Sequence, residues 1–362
     1  MTLDTLNLSS MKSIILFLLF FFCFTCLIAQ NDKIDLKIFG HLQYNLNDID
    51  NTNSSYFSLG EQDFFITSTF TDRISFLGET VVKYDNSTSS KFAPSIERAQ
   101  LKYDYYKNHS LIIGKIHTPV NYWNDVYHHG RLFFPVIERP LSFSYYIPVH
   151  TLGARLQGQN LGDLNFGYDL MVGNGISMSD IGGQTTDLSY LASVYIQPWD
   201  DSRFGISYFN DKMTENGAGV HSGHSSAISN YEGSVDFKLF CMSAAYFGEK
   251  IEFLSELTHN RTNTDSLGVS TNYSGFAYLG WRINGNNKTP YILFDYLNIS
   301  DKELHSIPTL IQKMGVGYKY DISHKVNVKF QLERILKGED HFFHDAPGKH
   351  QSNFQIQFSY GL

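Results

Sequence analysis

Polar and apolar residues alternate along most of this chain. Leu36, Ile38, Leu42 and Tyr44 are interleaved with Lys37, His41, Gln43 and Asn45. Near the far end Phe354, Ile356, Phe358, Tyr360 and Leu362 are interleaved with Gln355, Gln357, Ser359 and Gly361. A period of two marks a β-strand with one apolar and one polar face. Such segments recur at 35–46, 57–70, 74–84, 94–105, 110–116, 150–160, 164–174, 188–197, 203–210, 232–247, 251–260, 272–283, 289–299, 310–320, 326–337 and 351–362. They predict an all-β chain of about sixteen antiparallel strands. Within 232–247 the parity slips between Leu239 and Met242, which points to a bulge or to strand ends that lie elsewhere.

The connections decide what closes around these strands. Short ones, such as 71–73, 106–109, 161–163 and 284–288, alternate with long ones, such as 47–56, 85–93, 211–231 and 261–271. The short ones carry turn residues, as in Gly285, Asn286 and Asn287, and the long ones are rich in Ser, Asn, Gly and Thr. Strict alternation fits a transmembrane antiparallel β-barrel with periplasmic turns and longer outside loops. In hydrocarbon every backbone amide needs a partner, so a spanning sheet must close on itself. The apolar face then meets lipid and the polar face lines the lumen. Tyr44, Tyr103, Tyr105, Tyr208, Trp281, Tyr296 and Tyr360 supply candidate interfacial girdles. An even strand count leaves both termini on the periplasmic side. The last strand, ending at Leu362, resembles the C-terminal signal read by the outer-membrane assembly machinery, although that signal usually ends in Phe.

Composition adds the export route. The apolar run Ile14–Ala29, preceded by Met11 and Lys12, reads as a secretory signal, with cleavage expected near Ala29 or Gln30. Residues 1–10 hold Asp4 and no basic residue, so Met11 is a candidate start. The expected organisation is a signal peptide over 1–30 and one barrel domain over 31–362, integral to the outer membrane of a Gram-negative-type cell. Aromatics make up 15% and charged residues 18% of the chain, a balance unlike that of a soluble enzyme. A net charge of −8 argues against a nucleic-acid partner. Cys23 and Cys26 fall in the signal, leaving Cys241 alone and no intrachain disulfide.

One connection, between Lys115 and His150, is too long and too apolar to be an ordinary surface loop. Tyr122, Trp123, Tyr127, Phe133, Phe134 and Ile137 require burial, and the lumen is where this third outside loop can find it. The stretch from Gly114 to Arg131, with His117, Pro119, Tyr122, Trp123, Asn124, Asp125, His128 and His129, resembles the central segment of porin-like proteins of the Bacteroidota, relatives of the phosphate-selective and general diffusion porins. That resemblance implies a sixteen-stranded barrel, often a homotrimer, whose third loop folds inward as the constriction. It does not carry a substrate.

By strand parity Lys37, Arg98, Lys102, Lys115 and Arg155 point inward, as do Glu79, Asp104, Asp169, Glu252, Glu256, Asp295 and Glu333. With Asp125, His128, His129, Arg131, Glu138 and Arg139 of the loop, those five basic residues form the expected pore constriction. A basic wall would favour anions mildly; the alternative is a mixed-charge wet lumen of little selectivity. His117, His128 and His129, like His341, His344 and His350, read as hydrogen-bonding groups rather than metal ligands. Neither a cofactor nor catalytic machinery is expected, since nucleophile elbow, phosphate loop and metalloprotease helix are all missing. The expected function is passive diffusion of small hydrophilic solutes or ions through a lipid-embedded porin. The alternative is a closed barrel, plugged by its third loop, that serves surface binding or structure.

Overall fold

The computed structural model describes residues 34–49, 52–84, 91–127, 132–176, 187–214, 234–283, 287–303, 308–338 and 350–362. The signal segment, His128, His129, Arg131, His341 and His344 lie outside them. Sixteen strands follow one another up and down: β1 (Ile34–Ile49), β2 (Thr52–Thr71), β3 (Ile74–Tyr84), β4 (Phe92–Tyr106), β5 (His109–His117), β6 (His150–Leu161), β7 (Phe166–Gly173), β8 (Ser189–Ile196), β9 (Ser202–Thr214), β10 (Ser234–Phe247), β11 (Ile251–Thr264), β12 (Gly268–Trp281), β13 (Lys288–Ile299), β14 (Thr309–Ser323), β15 (Val326–Lys337) and β16 (His350–Gly361). Each pairs antiparallel with its chain neighbours, and β16 returns to β1 in register from Phe39–Gly361 to Ile49–Gln351. No edge strand remains, which satisfies the backbone in a medium without water.

The outer face carries the greasy half of the alternation. Leu42, Ile113, Leu170, Ile206, Met242, Leu257, Ile292, Val316 and Leu332 are all exposed there. An apolar surface this extensive would be a liability in water and is the expected lipid contact of a barrel. Tyr103, Tyr105, Tyr208 and Trp281 are exposed along with it.

Three expectations change. The bulge in β10 is absent, since its ladders to β9 and β11 run without a register shift. Its parity seemed to slip because the inner residues Phe237, Leu239 and Cys241 are as apolar as the outer Phe240 and Met242. Register shifts occur elsewhere, including at Gly40/Leu42 in β1–β2 and Glu79/Thr80 in β3–β4. The connections expected to be long at 47–56 and 261–271 are largely strand: β1 and β2 pair out to Ile49–Thr52, and β11 and β12 to Thr264–Gly268. Their Ser, Asn and Thr residues are polar enough for water and still fit a pleated ladder, so polarity there marks the end of the membrane and not of the strand.

The inside is divided. Inner residues of β1, β15 and β16 are polar and buried, among them Gln43, Asn45, Lys329, Gln331, Gln355 and Gln357. Along β10 and much of β13 they are apolar, and β9, β11 and β12 add single residues to the same patch: Phe209, Phe237, Leu239, Leu254, Phe276, Tyr278 and Leu293 belong to one buried cluster, with Glu256, Thr258 and Asp295 among them. The loop between β5 and β6 fills this side.

Candidate functional site

Residues 118–127 and 132–149 leave the wall after β5 and pack back into the barrel. Trp123–Tyr127 forms one π-helical turn and Leu141–Ser144 a short 3-10 turn. Trp123 has no exposed surface; its ring lies 4.8 Å from Phe134 and 5.5 Å from Phe276, and Phe134 lies 4.7 Å from Tyr278. Burying a ring of this size is worth about 1.5–3 kcal/mol, so several together hold the loop firmly.

Polar anchors surround that packing. The Glu256 carboxylate on β11 accepts from the Trp123 amide at 2.7 Å and from Asn121 Nδ2 at 3.1 Å. Asp295 on β13 accepts from the Leu141 amide at 2.8 Å, and Gln331 Oε1 on β15 from the Ile137 amide at 3.0 Å. Ser207 on β9 donates to the Val120 carbonyl, and Asn327 Nδ2 to the Leu132 carbonyl at 3.2 Å. The loop is thus tied to β9, β11, β13 and β15 through its backbone, which gives the amides of Trp123, Ile137 and Leu141 and the carbonyls of Val120 and Leu132 partners in the wall.

Two charged edges complete the docking. Asp125 sits between Arg155 Nη2 at 3.1 Å and Arg203 Nη2 at 2.8 Å. Arg155 Nε also reaches Asp169 at 2.8 Å, and the Arg203 guanidinium lies 3.8 Å from the centre of the Tyr195 ring. Burial of Asp125 opposes its ionisation, yet the Arg203 and Arg155 charges more than offset this and hold its carboxyl below the usual carboxylate range. On the other side Glu138 accepts from Gln355 Nε2 at 2.9 Å and Gln43 Nε2 at 3.4 Å, while Arg139 Nη2 stands 3.6 Å from Glu61 on β2.

Along the arc β2–β4 the wall is covered only in part: Asp63, Glu79 and Val81 are buried, and Glu61 meets Arg139 of the loop. There the inner residues Phe65, Thr67, Ser75, Leu77, Arg98, Gln100 and Lys102, in register with Glu79, keep partial solvent access. Inner residues opposite them are buried under the loop. The half-buried strip therefore borders the Glu138–Arg139 edge of the loop, which reaches β2 at Glu61.

The expected constriction residues do not form one cluster. Arg98 lies on the strip, its Nε 2.5 Å from Glu79 and its guanidinium 5.1 Å from the centre of the Phe65 ring. Arg139 and Glu138 sit on the bordering loop edge, and Asp125 and Arg155 belong to the loop's clamp. Lys37 pairs with Asp35 at 3.0 Å, both more than half exposed, toward the start of β1 and away from the loop. Lys102 pairs with Asp104 at 2.9 Å near the β4–β5 turn. Lys115 falls in the row of Ala99 and Leu152, one residue off the inner row. The inner row of β5 is taken by Ile112 and Ile116, which the buried core requires. His117 packs 5.1 Å from the His150 ring, whose Nε2 is 3.0 Å from Glu97. Among the described residues no group of three or more His, Cys, Asp or Glu could hold a metal ion. Parity had placed Glu256 and Asp295 inside without revealing that they grip the loop backbone. Arg203 was overlooked, although it opens a strand at an inward position.

No protein-family model and no curated protein matches the sequence. Solved structures do match. An anion-selective porin from Comamonas acidovorans superposes with a TM-score of 0.63 at 10% identity, over 91% of this chain and 100% of that one. This is the porin fold. A Salmonella typhi OmpF in complex with daunomycin gives 0.60 at 14% identity, over 90% and 97%. OmpT with its eighth loop deleted, an outer membrane protein of Vibrio cholerae, gives 0.61 at 11%, over 91% and 100%.

Proposed function

We propose that this chain is an outer-membrane porin that lets small hydrophilic solutes diffuse passively, without catalysis. The observation that carries the reading is the partly accessible inner strip on β2–β4 bordering a rigidly docked third loop. The outer lipid belt supports the location, as does a fold neighbour described as an outer membrane channel. Another is described as a trimer form, which supports a homotrimer here. The stretch from Gly114 to Arg131 supports a place among Bacteroidota porin-like proteins.

The ion pairs argue for weak selectivity. Lys37, Arg98, Lys102, Arg139 and Arg155 each stand within 4 Å of a carboxylate. A basic wall neutralised residue by residue loses most of its pull on anions. The buried aromatic core inside the lumen favours a second reading, a barrel plugged for binding or structural work. Liposome swelling in sugars of graded size separates the two. Size-dependent swelling is the expected result; liposomes that stay closed to the smallest sugar would establish the plug.

A further inference from the structure

A second polar hollow lies at the turn end of the barrel, where three hairpin ends meet. It encloses about 590 Å³, within the range of small-molecule sites. The β2–β3 turn contributes Asp72 and Arg73, β4 and its turn contribute Lys102, Asp104, Tyr106 and Lys107, and the end of β6 contributes Gln159. The rim is stitched together: the Asp104 amide donates to the Arg73 carbonyl at 2.8 Å, the Gln159 amide to the Asn108 carbonyl at 3.0 Å, and Asn108 Nδ2 to the Asn160 carbonyl at 3.0 Å. A hollow braced by neighbouring hairpins loses little freedom when a ligand enters.

Its charge is unbalanced. Three cations, Arg73, Lys102 and Lys107, meet two carboxylates, Asp72 and Asp104, and Asp104 is already bonded to Lys102 at 2.9 Å and Ser110 at 2.7 Å. The excess is one positive charge, shared by Arg73 and Lys107 against Asp72, and the Lys107 ammonium lies 5.3 Å from the centre of the Tyr106 ring. A guanidinium suits a carboxylate, an aromatic face suits a sugar ring, and side-chain amides such as Gln159 match hydroxyl groups.

We propose that this hollow binds small hydroxylated carboxylates of the sugar-acid type, with Arg73 and Lys107 holding the carboxylate. Its role as an exit subsite for such solutes rests on the diffusion-channel reading; the binding itself does not. The test is calorimetric titration of the detergent-solubilised barrel with glucuronate, glucose and inorganic phosphate. Glucuronate is expected to bind saturably and glucose not. Arg73→Ala and Lys107→Ala should each weaken glucuronate about tenfold, the worth of one charge-assisted contact. Lys37→Ala, at the same end but paired with Asp35, should leave it unchanged. Heat-modifiable gel mobility confirms that each variant is folded. Absent or unsaturable glucuronate binding, equal binding of glucose, tighter binding of phosphate, or an equal loss in Lys37→Ala would each overturn the site. Failure of sugar-driven swelling in the native barrel would remove the channel reading and leave the titration to decide the site on its own.

Discussion

At the residue scale the clamp on Asp125 and the core around Trp123 have separable consequences. Removing one partner of a buried ion pair costs about 3–5 kcal/mol, because the other charge is stranded. Asp125→Asn strands Arg203 and weakens Arg155, and should speed amide exchange across residues 118–127 while the strand amides stay protected. Trp123→Ala should cost a similar ~3–5 kcal/mol of loop docking by leaving a cavity, with barrel mobility on gels unchanged. The carboxyl of Asp125 titrates below its unfolded value near 3.9. A depressed folded-state value stabilises at pH above the unfolded one and is lost as pH falls through the folded one. The loop should therefore stay docked down to about pH 4 and loosen only in stronger acid. Trp123 fluorescence in a Trp199→Phe, Trp281→Phe background would follow it, and loosening near neutrality would contradict the clamp. Asp125 and Arg155 were legible as charged and inward. Their pairing was not, because Arg155 and Arg203 come from strands far along the chain, and parity says where a side chain points but not whom it meets.

At the element scale the strands were nearly all visible in the alternation, since lipid on one side and water or polar loop on the other impose it. What escaped were places where that contrast fails. In β10 both faces are apolar, so the pattern read as a bulge. Beyond the membrane both faces are polar, so β1–β2 and β11–β12 looked like loops. In β5 the core claims Ile112 and Ile116, which displaced Lys115 from the expected inner row. Gly114 in this strand has φ +132°, and a Cβ there would lie 2.1 Å from the Ala99 carbonyl oxygen. Only glycine meets both demands. Gly114→Ala should destabilise by about 1–3 kcal/mol or more and disturb β4–β5 pairing at the root of the third loop. The measurable outcome is a lower midpoint of unfolding in urea; an unchanged midpoint would show that the strand can yield.

At the scale of the whole molecule the charge arrangement sets the electrical behaviour. With Arg98, Arg139, Arg155 and Arg203 around the loop each matched by an acid, the barrel should show a reversal potential near zero in a salt gradient. Arg139→Ala leaves Glu61 and Glu138 beside the half-buried strip and should shift the potential toward cations. A strong anion preference in the native protein would mean that the pairs open under ionic conditions.

The oily inner faces of β10 and β13 bear on how the barrel is built. A strand that is polar on one side only has a single acceptable rotation in the bilayer, and sliding by one residue would turn its wet side to lipid. β10 has little of that safeguard, because its inner Val235, Phe237, Leu239 and Cys241 tolerate hydrocarbon, and β13 keeps it only through Thr289 and Asp295. Their correct threading must be imposed by adjacent strands with polar inner sides, such as β11 beside β10 and β12 beside β13, and locked when Trp123 and Phe134 arrive. The inward loop is then also a proofreader: without it, this arc of the sheet has little to tell right from left.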